Sequence, residues 1–512
     1  MAVQEQHGTG SAPALPAHVR VAIVGSGFAG LGMAIRLREA GVTDFVVLER
    51  GTDVGGTWRD NSYPGAACDV PSRLYSFSFA PNPAWTRSFS PQPEILDYLR
   101  GCADRYGVRE HLHLECPLER AEWDAGARRW RLRTPRGELT ADVLISAAGA
   151  LSEPRDPEIP GLDTFRGHTF HSAAWDHGHD LTGERVAVVG TGASSIQIVP
   201  EIQPKVAALT VYQRTPAWIV PRTDRAFTRL EQSLFRRVPA LHRLARGAIY
   251  WAREAYVLGF TGHRALMKAP AAVAQRHLTK QVPDPELRRK LTPDYTIGCK
   301  RILISNDFYP ALAAPNADLV TEAITEIRER SIVTADGVEH PTDTIVFATG
   351  FQVTPPPIAE AIHGRDGISL AQDWEANGMR GYRGTTFAGF PNLFMLVGPN
   401  TGLGHTSMVH MIESQVQYVL DALATMERDG LAAVEPTPAV QDAFNAGLQR
   451  RLAGTVWQTG GCASWYLDQH GNNTTLWPDF TFRFRRLTER FDGDAYVREP
   501  LPAAAVAAPA SA

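Results

Sequence analysis

Short apolar runs broken by glycine loops set the plan of the chain. VRVAIVG, from Val19 to Gly25, is a continuous run rich in Val and Ile, the signature of a strand buried on both faces. It runs into GSGFAG, and LGMAIRLREAG follows with apolar positions at helical spacing as far as Gly41. FVVLER then gives a second strand that ends at Glu49. Strand, glycine loop, helix, strand and terminal acid together predict a dinucleotide-binding unit. Gly25, Gly27 and Gly30 let backbone amides approach a pyrophosphate at the helix N-terminus, and the Glu49 carboxylate can accept from a ribose hydroxyl.

The pattern returns at RVAVVGTGASS, with Gly190, Thr191 and Gly192 in the loop and Ser194, Ser195 and Gln197 opening the next helix. Ser195 stands where the first unit has its third glycine, which predicts slightly looser packing of helix on strand. LTVYQRTP then ends in Gln213, Arg214 and Thr215, where the first unit has an acid. An acid would repel the 2'-phosphate of NADP, whereas a guanidinium binds it bidentately, so the second unit is expected to hold NADPH.

Between and beyond these units the pattern predicts a helix within Pro91–Glu115, a hairpin and buried strand up to Gly149, and a helical stretch from Arg222 to Leu291. The stretch LFRRVPALHRLARGAIYWAREAYVLGF is amphipathic enough to lie on a membrane, but packing on the body is the favoured reading. DTIVFATGF is a further buried strand, and FPNLFMLVGPNTGLGHTSMVHMIESQVQYV gives strand, loop and a helix starting near Ser407. The expected fold is α/β, two Rossmann-like dinucleotide-binding domains with a helical insertion. The first of these domains is expected to be discontinuous, 19–150 and 381–498, with the NADPH domain at 151–222 and 296–380 and the insertion at 223–295; 1–18 and 499–512 are expected to be flexible tails.

Composition narrows the function. The 512 residues carry 51 Lys and Arg against 55 acids, a net charge of -4, so no general drive toward nucleic acid or anionic membrane is expected. Cys68, Cys102, Cys116, Cys299 and Cys462 are scattered without CxxC or zinc spacing, which argues against a disulfide scaffold, a dithiol reductase and a metal site. The first eighteen residues lack the basic start and apolar run of a signal peptide, and no segment is apolar for long enough to span a bilayer. A cytoplasmic enzyme is the expectation; the oligomeric state stays open.

Two further stretches carry chemistry. FRGHTFHSAAWD, between the nucleotide units, holds Phe165, Gly167, His171, Trp175 and Asp176; on chemistry alone it reads as a packed histidine among aromatics. GGTWRDNSYPGAACD holds Gly56, Thr57, Trp58, Tyr63, Pro64, Gly65 and Asp69 in a turn-rich loop. Taken together, the two resemble the paired fingerprints of type I Baeyer-Villiger monooxygenases, and the likeness extends from Val19 to about Phe491. The N- and S-oxidising flavin monooxygenases are similar up to the histidine but usually carry Tyr and a basic residue at 175 and 176.

The resemblance implies FAD, NADPH and dioxygen, with a ketone converted to an ester or lactone through a peroxyflavin and sulfoxidation as a side activity. It places Asp69 and Arg301 at the reaction centre and Lys300 near the NADPH phosphate, with Thr57, Trp58 and Tyr75 along the flavin. In this chain Ile302 stands where the family commonly has Pro, and Phe308 and Tyr309 stand where it often has a Tyr pair. SWYLDQHGNNTTLWPDFTFRFRR, from Ser464, is similar to the hydroxyacetophenone-type branch; its Trp465 reads equally as a lid or a core residue. Two other functions stay open: a flavin-containing N- or S-monooxygenase, and an FAD- and NADPH-binding protein without oxygenation.

Overall fold

The computed structural model describes residues 14–155, 157–468 and 470–502. Its first sheet runs, in spatial order, through Ile362–His363, Arg120–Asp124, Arg129–Thr134, Gly137–Ser146, His18–Val24, Phe45–Leu48 and Leu112–His113, and Leu393–Met395 also pairs with Gly137–Ser146. The nucleotide half is parallel: Val24 pairs with Leu48 on one side and with Ser146 on the other. The helices Phe28–Glu39, Gln92–Arg105 and Met408–Arg428 pack one face of this sheet around Ile23, Leu31, Ile35 and Phe394. On the other face Trp123, Trp130, Trp374 and Phe387 form a second core. Such two-sided burial is why these strands read as unbroken apolar runs.

The second sheet is wholly parallel, in the order Ala317–Val320, Ala208–Tyr212, Arg185–Val189, Thr344–Phe347 and His168–His171. A separate antiparallel sheet of Ile324–Arg328, Ser331–Thr334 and Glu339–Pro341 adjoins it. The helical insertion is present as Arg229–Arg237, Pro239–Glu254, Tyr256–Thr261, Lys268–Gln281 and Pro285–Lys290.

Four expectations need correction. The chain returns to the first sheet about twenty residues before 381: Ile362 pairs with Ala121, and Ile362, Leu370 and Trp374 lie in the first unit's core. The strand is only two residues long, too short for a periodicity to mark it. At the C-terminus, Glu499 and Pro500 belong to strand Tyr496–Pro500, paired with Leu431–Pro436, while 503–512, like 1–13, fall outside the described residues. Cys299 and Cys462 form a disulfide; a separation of 163 residues leaves no local spacing to read. Finally, the expectation that the insertion's apolar side chains pack on the body holds only in part: Ile249, Tyr250 and Phe260 do, but helix Arg229–Arg237 buries none of its residues.

Candidate active site

Each glycine loop begins where its strand runs out. Gly25 has φ +98°, and a Cβ there would lie 2.6 Å from the Ala147 carbonyl oxygen; Gly190 has φ +113° and the same 2.6 Å to Ala348. Only glycine tolerates both the positive φ and the approach. Helix Phe28–Glu39 starts after Gly27 with no side-chain cap and no acid in its first turn, which leaves its amides for an anion. Gly56 faces this start so closely that a Cβ would sit 3.0 Å from Gly27 Cα. A groove walled by two glycine backbones beside an uncapped helix fits the pyrophosphate of FAD. Helix Ser195–Ile202 likewise starts without a side-chain cap or an acid.

Glu49 ends the second strand as expected, but it is buried and already holds four donors. Ser26 donates through N (2.9 Å) and Oγ (2.7 Å) to Oε2, and Gly51 N and Arg59 Nη1 donate to Oε1, each at 2.7 Å. Burial alone would raise its pKa, yet the Arg59 charge and these bonds hold it below the ordinary value. Four donors fill a carboxylate, so a ribose hydroxyl binds here only by exchanging with one of them, Ser26 Oγ being the group free to rotate.

The loop from Gly56 to Asp69 bridges the two units. Thr57 opens a helical turn, and its carbonyl receives Asn61 N and Nδ2, both at 3.0 Å. Trp58 Nε1 donates to Tyr75 Oη at 3.0 Å with the rings edge to face, and burial pushes the Tyr75 hydroxyl pKa up. Gln197, expected at the second cofactor, is spent on this loop instead. Its Oε1 accepts from Tyr63 Oη at 3.0 Å and its Nε2 donates to the Ala67 carbonyl at 3.0 Å. A Cβ on Gly65 would lie 2.6 Å from the Gln197 carbonyl oxygen, so the loop and helix touch backbone to backbone.

At the end of that loop stands the pair the sequence pointed to. Arg301 donates through Nε to Asp69 Oδ2 at 2.6 Å and through Nη2 to Oδ1 at 2.7 Å, a fork-on-fork ion pair across 232 residues. Desolvation would raise the Asp69 pKa, but the Arg301 charge and hydrogen bonds outweigh it and hold the carboxylate below its usual range. The same attraction raises Arg301. The remaining Nη1 has a long 3.4 Å contact to the Leu403 carbonyl, in the loop that leads to the Ser407 cap of helix Met408–Arg428. Two residues missed in the sequence stand close by. Tyr466 is buried, its hydroxyl pKa raised by that burial, and Arg253 on the insertion feels the charges of both members of the pair. Trp465 is not a core residue: it is half exposed, its ring edge-on to Tyr466 at 4.6 Å.

Arg214, Thr215 and Lys300 come together, lining a cleft of about 430 Å³ with Arg289, Tyr295 and Cys462. Burial lowers the Lys300 pKa and the Arg214 charge lowers it further. Arg214, Arg289, Lys290 and Lys300 outnumber Asp294, the acid that lines the same cleft, so the cleft fits a phosphate. Thr191 donates to the Thr215 carbonyl at 3.2 Å, tying the glycine loop to the strand end. Ser194 precedes the helix, and Ser195 is fully buried.

The fingerprint between the units forms the edge of the second sheet rather than a free linker. Phe165 packs on the core of the strands, and a Cβ on Gly167 would lie 2.2 Å from the Asp343 carbonyl oxygen. His171 Nδ1 accepts from Ala173 N at 3.1 Å and its ring meets Phe351 edge-on. Trp175 packs edge-on to Phe170, and Asp176 accepts from His168 Nε2 (2.9 Å) and Gly178 N (2.8 Å). His177 Nε2 lies 2.8 Å from Ser62 Oγ, so the two fingerprints meet. Among the described residues no group of three or more His, Cys, Asp or Glu could hold a metal, and no helix is long and apolar enough to cross a membrane.

Residues 22–242 match the family described as pyridine nucleotide-disulphide oxidoreductase. The chain is similar to a Baeyer-Villiger monooxygenase of Streptomyces coelicolor, 55% identical over 95% of this chain and 94% of that one. It is also similar to a Baeyer-Villiger monooxygenase of Pseudomonas aeruginosa, 52% identical over 96% and 94%. Among solved structures, OTEMO in complex with FAD and NADP superposes with a TM-score of 0.84 at 27% identity, over 94% of this chain and 99% of that one.

Proposed function

The chain belongs to the Baeyer-Villiger monooxygenases, and from that premise we propose that the Asp69–Arg301 pair holds its oxygen-insertion chemistry. It is a flavoprotein monooxygenase that uses FAD and NADPH. Bound FAD supplies the hydride acceptor and the dioxygen-activating ring, and NADPH supplies the hydride. In the reaction one oxygen atom enters beside a ketone carbonyl to give an ester or lactone, and the other leaves as water. What the chain adds is binding, orientation, fixed charge and exclusion of water.

The first unit binds the FAD pyrophosphate at the start of helix Phe28–Glu39, between Gly27 and Gly56. Trp58 and Tyr75 wall the flavin side. In the second unit Arg214 and Lys300 grip the 2'-phosphate of NADPH, which is what that cationic cleft supports. Arg301 acts on charge that develops during insertion, when the former carbonyl oxygen of the ketone becomes anionic. Asp69 holds the Nε and Nη2 edge, so the guanidinium is fixed before substrate arrives and Nη1 remains to donate. His171 and Trp175, at the sheet edge beside the Gly56–Asp69 loop, act as couplers between the units rather than in the chemistry. The stretch from Ser464 supports a hydroxyacetophenone-type branch, in which case aromatic ketones are preferred substrates.

The bidentate Asp69–Arg301 pair carries this reading. Removing one preorganised donor costs about 2.7 to 4 kcal/mol, so Arg301→Ala should lose ester formation roughly a hundred- to a thousandfold while still binding FAD and accepting hydride. Asp69→Ala should show a milder form of the same defect. Stopped-flow flavin spectra with product quantification on a ketone and a sulfide decide the matter. Wild-type ester yield from Arg301→Ala would remove the residue from the reaction, and sulfoxide as the main product would favour an N- or S-oxidising role.

A further inference from the structure

Insertion helix Pro239–Glu254 turns a mixed polar and apolar face to the body and leaves large apolar side chains outside. His242 and Glu254 are its two buried residues. Arg246 donates to the Arg73 carbonyl at 2.8 Å, and Glu254 accepts from Thr481 N and Oγ1, both at 2.8 Å, and pairs with His405 at 3.1 Å. Ile249 and Tyr250 pack partly buried on the first core, but two large apolar side chains point the other way, Leu244 70% exposed and Trp251, two turns on, 60% exposed. The preceding helix continues the stripe, Leu230 being 79% exposed and Leu234 one turn later 44%. Phe482 extends it sideways, its ring 5.8 Å from Trp251. A helix resting on a protein with its outer face in water should show the reverse polarity.

The charge of the segment supplies the second half of the argument. Residues 229–281 carry ten lysines and arginines against two acids, Glu231 and Glu254, in a chain whose net charge is -4. Both acids are engaged, Glu231 by Arg225 and Glu254 in its buried network. Arg229, Arg236, Arg237 and Arg243 stay exposed beside the apolar stripe. We propose that this face docks on the surface of an anionic lipid bilayer, with Leu230, Leu234, Leu244 and Trp251 at the boundary of headgroups and acyl chains and the arginines on lipid phosphates. A second copy of the chain is a poorer occupant, because a twofold contact would set two strongly basic faces against each other.

Flotation of the purified holoenzyme with vesicles tests this without reference to turnover. Vesicles of phosphatidylcholine with phosphatidylglycerol should carry the protein up, pure phosphatidylcholine should not, and salt near 1 M, where the screening length is about 3 Å, should release it. The triple variant Arg236→Glu, Arg237→Glu, Arg243→Glu should weaken partitioning roughly a hundredfold. The double variant Leu244→Ser, Trp251→Ser should weaken it at least about tenfold. Full flavin content and unchanged turnover of a small water-soluble ketone show that both variants are folded. Absence of flotation, equal flotation on neutral and anionic vesicles, or a concentration-dependent dimer that the double variant dissolves would each overturn the proposal.

Discussion

In both glycine loops the first glycine is held at positive φ, and in each a Cβ would stop 2.6 Å from a carbonyl oxygen, that of Ala147 or Ala348. The N–H of Gly25 donates to the Leu48 carbonyl and that of Gly190 to the Tyr212 carbonyl, so the same turn is built twice. The loops part at their third position. A Cβ on Gly30 would lie 1.8 Å from the Gly25 carbonyl oxygen, whereas Ser195 fits the corresponding place fully buried. The reason lies in where the helix starts. In the first unit it begins at Phe28, two residues before Gly30; in the second it begins at Ser195 itself. The strand ends differ in turn: Glu49 is buried and closed by four donors, and Arg214 is exposed in an open cationic cleft. One fold thus closes the strand end in one unit and leaves it open and cationic in the other, which suits the FAD and NADPH roles proposed for them.

The harshest test of this contrast is Gly30→Ser. Its Cβ would meet backbone rather than a side chain that can swing away, so the loop must move and the FAD groove with it. The expected result is protein without flavin, read as absorbance in the flavin bands per chain. Next in size is Arg214→Ala, which removes a charge-assisted contact worth about 1.5 to 3 kcal/mol and should lower kcat/KM for NADPH ten- to hundredfold while sparing NADH. Equal losses with both nucleotides would mean that Arg214 does not read the 2'-phosphate.

Acid should loosen the first unit by a separate route. His410, on helix Met408–Arg428, has its pKa depressed to about 4, first by burial and then by the positive charge of Arg485. Between about pH 6.5 and 4 the unfolded chain binds this proton and the folded chain does not, so stability is full above 6.5 and falls as pH drops to 4. The loss is on the order of 3 kcal/mol. Flavin release followed by fluorescence should therefore rise over that range, and His410→Phe should flatten it.

How much of this was legible in the sequence depends on the distance over which each signal acts. The glycine units were readable because strand, loop and helix are consecutive and each carries its own period. Asp69 and Arg301 were reached through the resemblance, since neither residue's neighbours reveal a partner 232 positions away. The contacts of Gln197 were not legible, because its place after a glycine loop says nothing of Tyr63 and Ala67 on another unit. The disulfide and the two-residue strand Ile362–His363 are settled by tertiary packing alone. In the insertion the periodicity announced amphipathic helices, but a period does not say which stripe faces inward, and here His242 and Glu254 are buried while Leu244 and Trp251 are exposed.

The smallest predicted effect is the counterpart of the largest. If the second loop accepts a side chain because its helix starts late, then Ser195→Gly should change little: it removes one buried hydroxyl for which no hydrogen-bond partner is found and restores the glycine pattern. Glycine at a helix's first residue costs about 1 kcal/mol at most relative to other residues, and losing an unsatisfied buried hydroxyl offsets part of that. KM for NADPH should stay within roughly threefold of wild type and thermal stability within about 1 kcal/mol. Flavin content, governed by the other unit, should not move. A large rise in KM with FAD retained would show that the Ser195 hydroxyl meets the bound nucleotide directly. In that case the serine would be part of the NADPH site rather than a substitution that a late helix start tolerates.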